Sequence, residues 1–63
     1  MNNCIKELRK SNSVTQVKMA NKIGISRGGL QNIEKGLSMP TVDTAFKIAR
    51  YFNKRIDEVF ELC

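Results

Sequence analysis

The chain has no histidine, only two cysteines, one proline and four aromatic residues, one tyrosine and three phenylalanines. Each shortage narrows the range of functions. Without histidine there is no ordinary proton shuttle at neutral pH, and neither Cys4 nor Cys63 has a visible activating base. The scattered carboxylates are accounted for as helix caps and helix-surface pairs, so no enzyme activity is expected. Cys4 and Cys63 lie at opposite ends with no CxxC partner, and with histidine missing they cannot supply the four ligands of a protein zinc site in one subunit. Both read as reduced thiols. The sharper alternative is a disulfide between the chain ends, or across a dimer. No metal, cofactor or small-molecule substrate is expected. No apolar run is long enough to span a bilayer and no charged-then-apolar leader is seen, so a soluble cytoplasmic protein without a membrane partner is expected. Most of the few aromatic residues fall at core positions, which leaves little for stacking on unpaired RNA bases.

What is present is basic charge, and its placement says more than its size. The net charge of the 63 residues is +5. Residues 1–36 hold seven basic side chains (Lys6, Arg9, Lys10, Lys18, Lys22, Arg27, Lys35) against Glu7 and Glu34, and in residues 37–63 four basic and four acidic residues cancel. The whole excess sits on one half. A polyanion suits that half, because each neutralised phosphate releases condensed counterions, although a merely solubilising basic surface is the alternative. The length fits one domain, residues 1–63, near the lower limit for a core without metal or disulfides, so dimer formation would help.

The stretch of about 15–36 carries the clearest pattern. Thr15 is a hydroxyl residue of the N-cap type, and Met19, Ala20 and Ile23 follow at the spacing of one buried helical face. Gly24 can end that helix in the left-handed conformation, Ile25 turns inward, and Ser26 can cap a second helix from Arg27. In this second helix Leu30 and Ile33 point to the core. Arg27, Gly28, Gln31 and Asn32 then occupy the wet face, which suits the DNA major groove.

The order Thr-Gln-x-x-Met-Ala-x-x-Ile-Gly-Ile-Ser-Arg-x-x-Leu-x-x-Ile-Glu-x-Gly resembles the Cro/repressor-type (Xre) helix-turn-helix family. Pro40, Thr41, the segment 45–49 and Asp57-Glu58-Val59-Phe60 extend the match over nearly the whole chain. The resemblance implies an all-α, compact five-helix lambda-repressor-like domain that binds double-stranded DNA. It implies that Gln16, with the free N–H groups of its helix, grips a phosphate, and that Arg9 pairs with Glu34. It also implies that the loop of Leu37, Ser38 and Met39 meets the DNA backbone. Lys18, Ser26, Lys35 and Ser38 join Gln16 as phosphate-contacting candidates, and Arg27, Gly28, Gln31 and Asn32 are the base-reading candidates. Arginine can read guanine through O6 and N7, and asparagine can bond adenine through N6 and N7. The sequence departs from its relatives at Gly28-Gly29, where long polar side chains are common. Either the bare backbone approaches the bases, or nothing is read at 28 and 29 and discrimination falls to Arg27, Gln31 and Asn32, which is the preferred reading.

The flanking segments complete five helices. Residues 3–11 form the first, capped by Asn2 or Asn3, with Ile5 and Leu8 inward. Asn12 and Ser13 turn the chain, Val14 staples ahead of Thr15, and Val17 is expected to be partly buried. Thr41 caps a fourth helix whose core stripe is read as Val42, Ala45, Phe46, Ala49 and Phe52, with Ile48 either core or subunit contact and Tyr51 at the border. Asn53 stands where relatives place glycine, and asparagine tolerates the left-handed conformation. The last helix, Ile56 to about Leu62, has more apolar residues than docking requires. Ile56, Val59, Phe60 and Leu62 either complete the core or form part of a two-fold interface, and the latter is favoured by small size and a palindromic target. The expected function is a sequence-specific transcriptional regulator, a repressor by family analogy, acting as a homodimer on two half-sites about 34–36 Å apart. The alternative is an antitoxin or accessory regulator of the same fold whose main partner is a protein, bound through residues 55–63.

Overall fold

A computed structural model describes residues 3–60, which form five helices: α1 (Ile5–Ser11), α2 (Gln16–Ile23), α3 (Arg27–Glu34), α4 (Val42–Tyr51) and α5 (Ile56–Phe60). No strand occurs among the described residues.

The helix boundaries follow local chemistry. The hydroxyls of Thr15, Ser26 and Thr41 accept from the backbone N–H groups of Lys18, Gly29 and Thr44, so the central three helices each start with one orphan donor satisfied. The first helix starts two residues later than its sequence pattern suggests. Cys4 is its flanking residue and makes no side-chain cap, while Asn3 Oδ1 accepts from the N–H of Ile5 at 3.2 Å. Gly24, at φ 87°, ends α2 and turns its N–H back to the carbonyl of Ala20 at 2.8 Å. Asn53 takes the left-handed conformation as expected, at φ 55°, and Ser13 does the same at φ 56°.

One core joins all five helices: Ile5, Met19, Ala20, Ile23, Leu30, Ile33, Ile48, Ala49, Val59 and Phe60 are buried. Leu8, Val14, Ile25, Ala45, Tyr51, Phe52 and Ile56 pack against it. The backbone N–H of Cys4 donates to the carbonyl of Val59 at 2.9 Å, which ties the start of the described chain to its last helix.

Several expectations are corrected. The inward line of α4 is Ala45, Ile48, Ala49 and Phe52, so Ile48 is core, while Val42 and Phe46 remain 73% and 54% exposed. Both readings satisfy i, i+3, i+4, i+7, and tertiary packing selects the rotation. Val17 is exposed rather than partly buried, because α2 turns only Met19, Ala20 and Ile23 inward. Val59 is buried in the chain's own core, and Phe60, 7% exposed, lines a groove with Val42 and Ile56. Leu62 lies outside the described residues. Cys4 is disulfide-bonded instead of a reduced thiol, and Cys63 also lies outside the described residues.

Candidate nucleic-acid interface

The helices α2 and α3 are joined by the three residues Gly24, Ile25 and Ser26. Because Leu30 and Ile33 are buried, the opposite side of α3 is turned to solvent, and Arg27, Gly28 and Asn32 are all exposed on it. Gln31 is only half-buried, since it lies at the edge facing α2.

A network of polar side chains fixes the two helices against each other. Arg9 sends Nε to Glu34 Oε2 at 2.9 Å and Nη2 to Glu34 Oε1 at 3.3 Å, and its Nη1 donates to the carbonyl of Val14 at 3.1 Å. The two side chains retain only 11% and 4% of their exposure, so this is a sheltered two-pronged ion pair and not a surface one. Gln16 Nε2 donates to the same Glu34 Oε1 at 3.1 Å, leaving the amide oxygen of Gln16 to accept from Gln31 Nε2 at 3.1 Å and Arg27 Nε at 3.4 Å. The chain Arg9, Glu34, Gln16, then Gln31 and Arg27, runs from the first helix to the exposed face of the third. Asn3 adds a further tie, donating Nδ2 to the carbonyl of Ile33 at 2.7 Å.

Around this network lie the groups suited to phosphate. A shallow polar depression lined by Arg9, Thr15, Gln16, Val17 and Arg27 opens at the start of α2. The N–H of Lys18 is taken by Thr15 Oγ1 and that of Met19 by the carbonyl of Thr15, while those of Gln16 and Val17 find no acceptor among the described residues. They face out as an anion-seeking helix end. Lys18, Lys35 and Ser38 are exposed, and neither lysine has an acidic partner among the described residues. Ser26 is exposed too, but its hydroxyl already accepts from Gly29 N–H at 3.0 Å, so it could still donate to an anion while capping.

The structure therefore brings Arg9, Gln16, Arg27, Gln31 and Glu34 into one cluster, while Ser26 engages only the cap of its own helix. Sequence reasoning missed the Gln16–Gln31 and Asn3–Ile33 bonds. The first links the opening turn of one helix to the middle of the next, and no spacing within a helix signals it. The glycines also separate: a Cβ at Gly28 would meet nothing within 4 Å, whereas one at Gly29 would stand 3.1 Å from Ser26 Oγ. Among the described residues no cluster of side chains could hold a metal ion, and no helix is long and apolar enough to cross a membrane.

A capped helix, a glycine turn and a second capped helix with an outward polar face define a helix-turn-helix protein. The family model for helix-turn-helix domains matches residues 5–59, and the chain belongs to that family, HTH_3. Over 60 residues it is 40% identical to an uncharacterized HTH-type transcriptional regulator of Methanocaldococcus jannaschii, covering 95% of this chain and 91% of that protein. It is 36% identical over 62 residues to the uncharacterized HTH-type transcriptional regulator YgzD of Bacillus subtilis, covering 98% and 94% of the two chains. Among solved structures, an HTH_3 family transcriptional regulator from Vibrio cholerae superposes with a TM-score of 0.72 at 35% identity, over 86% of this chain and 30% of that one. The SinR protein/SinI protein complex gives a TM-score of 0.75 at 24% identity, over 84% of this chain and 52% of that one, a likeness of fold alone. The chain thus spans about half of one solved neighbour and under a third of the other.

Proposed function

We propose that the protein is a sequence-specific transcriptional regulator of double-stranded DNA that lays α3 in the major groove, acting in the cytoplasm as a homodimer on a palindromic operator and repressing by covering a promoter. The observation that carries this reading is the solvent-facing side of α3, where Arg27, Gly28 and Asn32 lie opposite the buried Leu30 and Ile33, next to the open N-terminus of α2. Arg27 and Asn32 read base edges, and Gly28 lies on the same exposed face without a side chain to read. Gln16, Lys18, Lys35 and Ser38 hold phosphates and set register, with Ser26 donating from its cap position. The names of the curated relatives, all HTH-type transcriptional regulators, support the same reading.

The test is binding to the DNA upstream of the protein's own gene across a salt series, with a scrambled duplex as competitor. Preference for one site in the native duplex is the expected result. Lys18→Ala and Lys35→Ala should each weaken all sequences alike and flatten the slope of log K against log salt by about one. Equal affinity for native and scrambled duplexes in every salt would overturn sequence-specific binding.

A further inference from the structure

The outward side of α4 is apolar where the lone domain gives it nothing to cover. Val42 and Phe46 stand 73% and 54% exposed one helical turn apart. Grooves between α4 and α5 flank them. One is lined by Pro40, Val42, Ala45, Ile56 and Phe60, and the other runs past Phe46, Ala49 and Ile56 to a charged rim that includes Arg50, Lys54 and Asp57. Ile56 borders both, so ridge and grooves make one continuous face. Contiguous apolar surface of this kind on a soluble domain marks a contact site.

The charges on the face indicate what covers it. Asp43 precedes Phe46 by three residues and Arg50 follows it by four, so acid and base lie at opposite ends of the same strip of α4. A two-fold axis through Phe46 that sets α4 antiparallel to a second α4 carries each Asp43 onto the partner's Arg50, both rings meeting at the centre. Such a patch is complementary to itself, which is the requirement for an isologous contact. The ion pair that Asp43 makes with Lys47 at 3.2 Å is largely exposed, and a better partner can replace it. DNA is a poor occupant, because Asp43 and Phe46 would face phosphates. The rim is mainly basic, with Arg55 beside Arg50 and Lys54, but an acidic protein partner would have to face Asp43 and Asp57 as well.

We propose that this α4 face, with Phe46 at the axis and Asp43 against the partner's Arg50, is the contact between two copies of the chain. The proposal rests on the homodimer reading and centres the contact on α4, sharing Ile56 and the groove-lining Phe60 with the residues that the sequence placed there.

Sedimentation velocity on the full chain over a wide concentration range tests it, with circular dichroism to verify helix content. The unaltered protein should show a monomer–dimer equilibrium. Phe46→Glu should raise the dimer Kd by at least about tenfold, a change of about 1.4 kcal/mol. Asp43→Arg and Arg50→Asp should each weaken the dimer, and the double variant should regain most of the loss. These two sites are exposed, so the charge exchange keeps the test valid even if Phe46→Glu fails to fold. A dimer that survives Phe46→Glu, or an exchange that does not restore it, overturns the α4 contact and leaves the homodimer reading intact. An unaltered protein that stays monomeric at every concentration, alone and with operator duplex, overturns both.

Discussion

Gln31 donates its side-chain amide to Gln16 across the helix-turn-helix unit, Nε2 to Oε1 at 3.1 Å. Two residues that the sequence assigned to different tasks, base reading and phosphate holding, are thereby joined. Gln16 is in turn bonded to Glu34, whose carboxylate is held by the sheltered guanidinium of Arg9. In the proposed interface these side chains are already bonded to one another in the free protein, which would lessen the ordering that DNA binding requires.

This engagement separates Gln31 from Arg27. Arg27 gives Gln16 only its Nε, at 3.4 Å, and its terminal nitrogens make no bond among the described residues, so the fork remains available to guanine. Arg27→Ala should reduce discrimination between operator and altered operator by about 1–3 kcal/mol. Gln31→Ala should weaken every sequence to a similar degree, by about 0.5–1.5 kcal/mol, through loss of a positioning bond. Competition anisotropy against a panel of single-base variants measures both. A preference lost at one base pair on changing Gln31 would make that residue a reader.

The pair Arg9–Glu34 offers a stability test. Removing one member of a buried, hydrogen-bonded ion pair leaves the other without a counter-charge, so Arg9→Ala should cost about 3 kcal/mol in urea unfolding, a large share of the stability of so small a domain. Replacing both, as Arg9→Met with Glu34→Leu, should recover most of that loss. The double variant should still bind DNA poorly, because Gln16 loses the carboxylate that orients it. Full binding by the double variant would show that Gln16 needs no such support.

Legibility in the sequence follows a physical line. Thr15, Ser26 and Thr41 were readable as caps, and Gly24 and Asn53 as left-handed positions, because the reason for each lies within a few residues of chain. Met19, Ala20 and Ile23 were readable as core because no competing face of α2 is apolar. The rotation of α4 was not readable. Ala45, Ala49 and Phe52 belong to two equally periodic stripes, and whether Ile48 or Val42 and Phe46 join them depends on what the other helices present. By pattern Val59 and Phe60 could serve core or interface, and both lie in the core of the single chain. Within the site, the Arg9–Glu34 pair followed from family resemblance, whereas the threefold engagement of Gln16 with Arg27, Gln31 and Glu34 required the relative placement of α2 and α3.

Ser13 gives a prediction independent of DNA. It holds φ 56° just after Asn12, the C-cap of α1, and is exposed, in a region where side chains with a Cβ are penalised by about 1–2 kcal/mol. Ser13→Gly removes that penalty and adds some unfolded-chain entropy, so a net gain of roughly 0.5–1 kcal/mol is expected in chemical unfolding. A loss would mean that the serine side chain contributes a contact outweighing its backbone strain.

Gly28 tests whether bare backbone matters to recognition. A methyl group there would meet nothing within 4 Å, so in the free protein Gly28→Ala should stabilise α3 by up to about 1 kcal/mol, less because the site is in the first turn. At Gly29 the same change stands 3.1 Å from the capping Ser26 hydroxyl, and the gain should be smaller or reversed as the cap is displaced. The two variants together distinguish helix propensity from cap geometry. On DNA, Gly28→Ala and Gly28→Gln should keep the base preferences of the unaltered protein if, as proposed, Arg27 and Asn32 carry the reading on either side of position 28. A loss of operator affinity by Gly28→Ala, with stability raised and non-specific binding unchanged, would instead place the α3 backbone against the base edges and make the missing side chain itself the determinant.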